Sequence, residues 1–200
     1  MCMLLIGVAT GLAPTAITGC DALGMDGKTV QRILRENAAK YEDSDESYEA
    51  LAARAPFLSF GEWQLADKRR HQLRVAWRDF FNDYDILVCP IFSRCAFEHD
   101  HSDPAGLRNP AISAGWAKTL SVDGVKTPYL RHMFWSGMTN TCYLPSTAFP
   151  TGLGQDSKLP IGLQAVGAEG DDYLCIEFAR LLETELGYAY ERPKNMLGDE

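Results

Sequence analysis

Apolar and polar residues follow two different periods along this chain, and the switches between them mark out its elements. From Asp26 to Lys40, Val30, Ile33 and Leu34 recur at helical spacing, Gln31, Arg32 and Arg35 face away, and Asp26 can cap. The acidic run Glu42–Glu49 repels itself, so it reads as a solvated loop leading into a helix start. The clearest helix runs from about Gly61 to Asn82. Ser59 and Glu62 fit a capping box before it, and Trp63, Ala66, Leu73, Trp77, Phe80 and Phe81 supply its apolar face. Arg70, Arg74 and Arg78 share another face, interleaved with Asp67, Asp79 and Asp83, which predicts an ion-paired surface helix rather than an RNA-binding one.

Asp85–Pro90 is dense in apolar residues and ends in proline, as a fully buried strand would. Residues 93–128 form a long irregular connection, with short pieces around Pro110–Leu120 and Val122–Thr127. Tyr129–Thr139 returns to helix. Ser146–Phe149 and Ile161–Val166 read as strands joined through 152–158. Asp172–Leu186 is a helix with Leu174, Phe178, Leu181 and Leu182 on one face and Gly187 as its stop. Helices interleaved with short strands predict an α/β fold.

Composition narrows the functional classes. At 200 residues the chain is long enough for one domain with a core. A net charge of -8 disfavours nonspecific binding to nucleic acid or to an anionic membrane. The six cysteines form no CxxC pair, and Cys89 and Cys175 sit in apolar runs, which points to a reducing, cytoplasmic setting. Met1–Cys20 is apolar, and Ile17–Cys20 resembles a lipoprotein cleavage box. It carries no Lys or Arg, and Gly7, Gly11 and Pro14 break it, so interior core sequence standing at a chain start is the expectation. No run reaches the roughly 18–20 apolar residues of a membrane span.

The residues that carry chemistry are sparse. There is no Gly-x-Ser-x-Gly elbow and no glycine-flanked serine pair. Cys142 and His132, ten residues apart, are a weak Cys–His pairing. His99-Asp-His101 could contribute metal ligands, but no helix-spaced His pair accompanies it, so a polar loop is expected and no metal is assigned. No phosphate-binding glycine loop is present, because Gly152-Leu-Gly154 opens no helix with Lys-Ser/Thr. The best pocket candidate is Tyr129–Thr139, whose Met and aromatic side chains suit an apolar cavity, with Trp135 and Met138 as its walls.

One resemblance organises these features. Asn140-Thr-Cys-Tyr-Leu-Pro-Ser-Thr-Ala-Phe-Pro150, then Gly152, then Leu159-Pro-Ile-Gly-Leu-Gln164 resembles the C-terminal part of amidase-signature amide hydrolases. Phe81-Asn-Asp-Tyr-Asp-Ile-Leu-Val-Cys-Pro90 resembles the family's Phe-x-x-x-Asp-x-Leu-x-x-Pro strand, Ala96-Phe-x-His99 resembles the segment after that strand, and Asp171–Leu186 resembles the closing helix. The match covers about 60–197, and 1–60 is compatible with it. Many relatives carry glycine where this chain has Tyr143. The Leu-Pro-Ser-Thr wording looks closer to the fatty-acid-amide-hydrolase-like branch.

The resemblance implies a mixed β-sheet flanked by helices, within a partial amidase-signature domain spanning 1–200. It implies amide hydrolysis by a serine nucleophile, a second serine on a cis peptide and a lysine, with no cofactor. In the family those groups lie N-terminal to every matching segment here, and Lys28, Lys40 and Lys118 lack the matching context. No catalytic residue is therefore assigned, and the chain is expected to be an inactive fragment that exposes strand edges and apolar faces. Its expected partners are a small-molecule amide in the full-length protein and either a second copy or an N-terminal catalytic partner. The alternatives are a noncatalytic binding or assembly subunit derived from an amidase or amidotransferase, and a lipoprotein anchored through Cys20.

Overall fold

The computed structural model describes residues 27–98, 119–155 and 157–190. Helix α1 (Gly27–Ala38) buries Leu34 and keeps the Arg32–Glu36 pair, 2.8 Å apart, on its exposed side. Asp26, its expected cap, lies outside the described residues. The acidic stretch is a turn whose carbonyls are gathered by one side chain. Arg54 donates from Nη1 to Glu42 O at 2.7 Å and Asp43 O at 2.8 Å, and from Nη2 to Asp45 O. Ser47 then caps α2 (Tyr48–Arg54) by accepting from the Ala50 N–H at 3.2 Å.

After a 3₁₀ turn at Ala55–Phe57, the expected capping box starts α3 (Phe60–Phe80). The Ser59 N–H donates to Glu62 Oε2 at 2.7 Å, and the Glu62 N–H donates to Ser59 Oγ at 3.3 Å. Aromatic residues collect at the other end, with Trp77 edge-on to Phe80 at 5.4 Å and Phe80 stacked on Tyr84 at 4.7 Å. None of the 21 residues of α3 is fully buried, so its apolar side is only half covered by the described residues.

Strand β1 (Leu87–Pro90) corrects one expectation. Among the described residues it is an edge strand rather than a fully buried one. It pairs on one side with β5 (Pro160–Val166), only Cys89 is buried, and Val88 stays 43% exposed. A separate hairpin, β2 (Thr119–Val122) and β3 (Val125–Pro128), occupies the piece expected around 122–127. Its two-residue turn holds Asp123 and Gly124 at φ 52° and 80°, the positive pair that matches strand twist. Most of the piece expected at Pro110–Leu120 lies outside the described residues.

The single helix expected at Tyr129–Thr139 is split. Tyr129–Met133 is a 3₁₀ turn, and α4 (Phe134–Cys142) follows and runs three residues further. The turn holds His132 inward, with Nε2 3.3 Å from Thr127 O and its ring 5.6 Å from Phe92.

Strand β4 (Ser146–Leu153) pairs antiparallel with β5, setting Phe149 opposite Leu163, and gives the sheet order β1-β5-β4. β4 runs past Pro150 through a bulge, where Gly152 adopts φ 121°. Helix α5 (Asp172–Leu186) crosses β4 and β5, with Phe149 edge-on to Phe178 at 6.3 Å. It ends as expected at Gly187, φ 71°, with the Gly187 and Tyr188 N–H groups closing on Glu183 O and Leu182 O. Its outer side leaves Tyr173 88% and Ile176 56% exposed. The α/β class, with helix packed on sheet, is as the sequence implied. Among the described residues no helix is long and apolar enough to cross a membrane.

Candidate functional site

The two residues picked as pocket walls lie on one side of α4, three apart. Trp135 is half-buried in the first turn, edge-on to Phe134 at 5.3 Å, and Met138 is buried one turn later. The weak Cys–His pairing does not form. His132 turns to Thr127 and Phe92, whereas Cys142 is fully buried beside Trp77, Arg70 and Arg74, and burial pushes its thiol pKa up. Four described serines serve the backbone. Ser47 and Ser59 cap helices, Ser136 donates to Met133 O, and Ser157 accepts from the Leu159 N–H. His99, Asp100, His101 and Lys118 lie outside the described residues. Among the described residues no group of three His, Cys, Asp or Glu side chains could hold a metal ion.

The motif strands hold the sheet together. Gln164 of β5 donates from Nε2 to Pro90 O at 3.0 Å, tying the end of β1 to its neighbour. Gly162 lets β4 approach, since a Cβ there would lie 3.2 Å from Phe149 O. At Gly167 a Cβ would lie 2.9 Å from Cys175 Sγ, so the glycine seats the first turn of α5 against the end of β5. These residues carry backbone geometry and packing rather than reacting groups.

A charged cleft lies where the chain leaves α4. Tyr143, the position that departs from glycine, is the left-handed C-cap at φ 59° and ψ 33°. Its N–H and that of Leu144 close on the last carbonyls of the helix. Two guanidinium groups lie over its ring, Arg70 at 4.7 Å and Arg74 at 4.9 Å from the centroid. Arg70 also pairs with Asp67 on its own helix. Arg74 reaches instead to the turn after β5, where Nη2 donates to Glu169 Oε1 at 2.5 Å and Oε2 at 2.6 Å. The hydrogen bond from Arg74 holds the Glu169 carboxyl below its usual range and raises the Arg74 pKa. The ion-paired helix is thus correct in kind, but one of its partners comes from 95 residues away. Beside this pair is a cleft of about 290 Å³ lined by His71, Arg74, Val75, Arg78, Cys142, Leu144, Ala168 and Glu169. Trp135 and Met138 are not among its walls. The sequence carried no signal for Glu169, because only the fold brings that turn to α3.

With this geometry in place, comparison with known proteins gives the class. The chain belongs to the amidase family, which it matches over residues 47–176. It is 23% identical over 180 residues to the indoleacetamide hydrolase of Bradyrhizobium diazoefficiens, covering 88% of this chain and 30% of that protein. It is 25% identical over 129 residues to a glutamyl-tRNA(Gln) amidotransferase subunit of Protochlamydia amoebophila, covering 63% of this chain and 21% of that one. Among solved structures it is similar in fold to a chain of an unexpected vestigial protein complex that reveals the evolutionary origins of an s-triazine catabolic enzyme. That match has a TM-score of 0.58 at 21% identity, and covers 95% of this chain and 36% of the other. The chain therefore spans about a third or less of the length of these relatives.

Proposed function

We propose that this chain is the C-terminal scaffold part of an amide hydrolase and does not hydrolyse amides by itself. The observation that carries the reading is the β4–β5 pair. Its most family-specific residues, Gly162 and Gln164, hold the sheet together and present no nucleophile. The described serines with assigned bonds cap helices or bond backbone groups, which are structural roles. In the complete enzyme, the serine, the cis-peptide serine and the lysine of the family mechanism come from segments other than these 200 residues. No metal or organic cofactor takes part. This chain contributes sheet, covering helices and one wall of an apolar pocket, with Trp135 at its rim and Met138 behind it. A small carboxylic amide of the aryl or fatty class, as in the fatty-acid-amide-hydrolase-like branch, is the substrate this wall suits.

The similarity to an amidotransferase subunit and to a chain of a complex supports a form in which this chain works with a partner polypeptide. Buried free thiols at Cys89, Cys142 and Cys175 support a reducing, cytoplasmic setting. The DNA around the Met1 codon tests the assignment. An in-frame upstream lysine segment and Gly/Ser-rich segment, or a neighbouring frame carrying both, is the expected result. Their absence from both places would contradict it.

A further inference from the structure

We infer that the cleft between α3, the α4–β4 turn and the β5–α5 turn binds a small organic anion, one carboxylate on a short apolar body. Its walls divide by chemistry. His71, Arg74 and Arg78 are spaced three and four apart and so project from one side of α3. Val75, Leu144 and Ala168 supply apolar surface around them, with Cys142 buried behind. In a chain of net charge -8, two guanidinium groups against the single carboxylate of Glu169 form a local reversal of sign. A volume of about 290 Å³ admits a body of a few carbon atoms.

The cation side is only partly satisfied. Glu169 takes both of its hydrogen bonds from one nitrogen of Arg74, Nη2. Arg74 Nε is shielded from solvent, so the guanidinium group open to a ligand in the cleft is that of the exposed Arg78. Arg78 is near enough to help hold the Glu169 carboxyl below its usual range, yet no described carboxylate pairs with it. A planar carboxylate matches the guanidinium fork of Arg78. A phosphate dianion would meet stronger repulsion from Glu169 and leave the apolar walls unused, so a monocarboxylate is the better occupant.

This inference stands apart from the amide-hydrolysis reading, and binding alone tests it. The 200-residue chain is titrated at neutral pH and low salt with butyrate, with its neutral isostere butyramide, and with inorganic phosphate, followed by amide chemical shifts. Butyrate is expected to shift residues 142–144 and 168–169 and to bind about tenfold more tightly than butyramide or phosphate, as loss of a charge-assisted pair implies. Arg78→Gln, at an exposed position that spares the core, is expected to weaken butyrate binding about tenfold. Equal binding of butyrate and butyramide, phosphate binding without butyrate binding, or an unchanged Arg78→Gln affinity would each overturn the inference. The first two comparisons need no variant.

Discussion

Arg74 and Glu169 join α3 to the turn between β5 and α5 through a single nitrogen, which donates to both carboxylate oxygens at 2.5 and 2.6 Å. A double-mutant cycle of Arg74→Gln and Glu169→Gln in urea should show positive coupling. Because both side chains are partly exposed, 29% and 55%, the coupling should shrink in molar salt. Additive single effects at low salt would mean that the pair contributes nothing to holding the helix on the turn.

Tyr143 holds a left-handed backbone that usually goes to glycine, and its ring lies under Arg70 and Arg74. Tyr143→Ala keeps the unfavourable φ and loses both cation–π contacts, for a loss of about 1–2 kcal/mol. Tyr143→Gly loses the same contacts but relieves the backbone, so it should be more stable than the alanine variant by about 1 kcal/mol. Urea midpoints of the three proteins check the order. An alanine variant as stable as the glycine variant would contradict it.

Gly167 and Cys175 are a size-matched pair at the start of α5. Gly167→Ala should destabilise by about 1–3 kcal/mol, because its Cβ would lie 2.9 Å from a sulfur buried to 1% exposure. Adding Cys175→Ala removes that sulfur, so thermal melts should show the double variant recovering part of the loss. A double variant weaker than the sum of the two changes would show that the contact is not the cause.

Stability should be flat near neutral pH and fall on both sides, for two separate reasons. Asp45, held by the Ser47 N–H, Glu62 by Ser59, Glu169 by Arg74 and Glu177 by Arg180 all titrate below their ordinary values of 3.8 and 4.5. The unfolded chain therefore binds protons first. The contribution of these groups is complete above the ordinary values and is lost as pH falls through the lower folded ones. Burial raises the thiol pKa of Cys89, Cys142 and Cys175 above 9.0, so their contribution is complete below that value and is lost as pH rises through the folded ones. Urea midpoints from acid to alkaline pH should trace this plateau. A maximum near pH 4, or a rise above pH 9, would contradict the assignment.

What could be read from sequence was whatever is encoded locally. The Ser59–Glu62 box, the Asp172–Leu186 helix and its Gly187 stop depend on residues within a turn of each other. The exposure of Val88 was not legible, because an apolar run reads the same whether its strand has one neighbour or two. The break at Met133 depends on His132 meeting Thr127 and Phe92, the second of which lies forty residues upstream. The cleft was half legible. The arginine spacing was visible on α3, and Tyr143 stood out as a departure from glycine, but nothing pointed to Glu169. The family was legible from Leu159–Gln164, whose glycine and glutamine hold β5 to its two neighbours here.

The most direct test of the central claim is amide hydrolysis by the purified 200-residue chain, assayed on simple aryl and fatty amides with and without a polypeptide carrying the family's lysine and Gly/Ser-rich segments. The expected result is no turnover by the chain alone and turnover on addition of those segments. Turnover by the chain alone, abolished by a single Ser→Ala substitution within it, would contradict it.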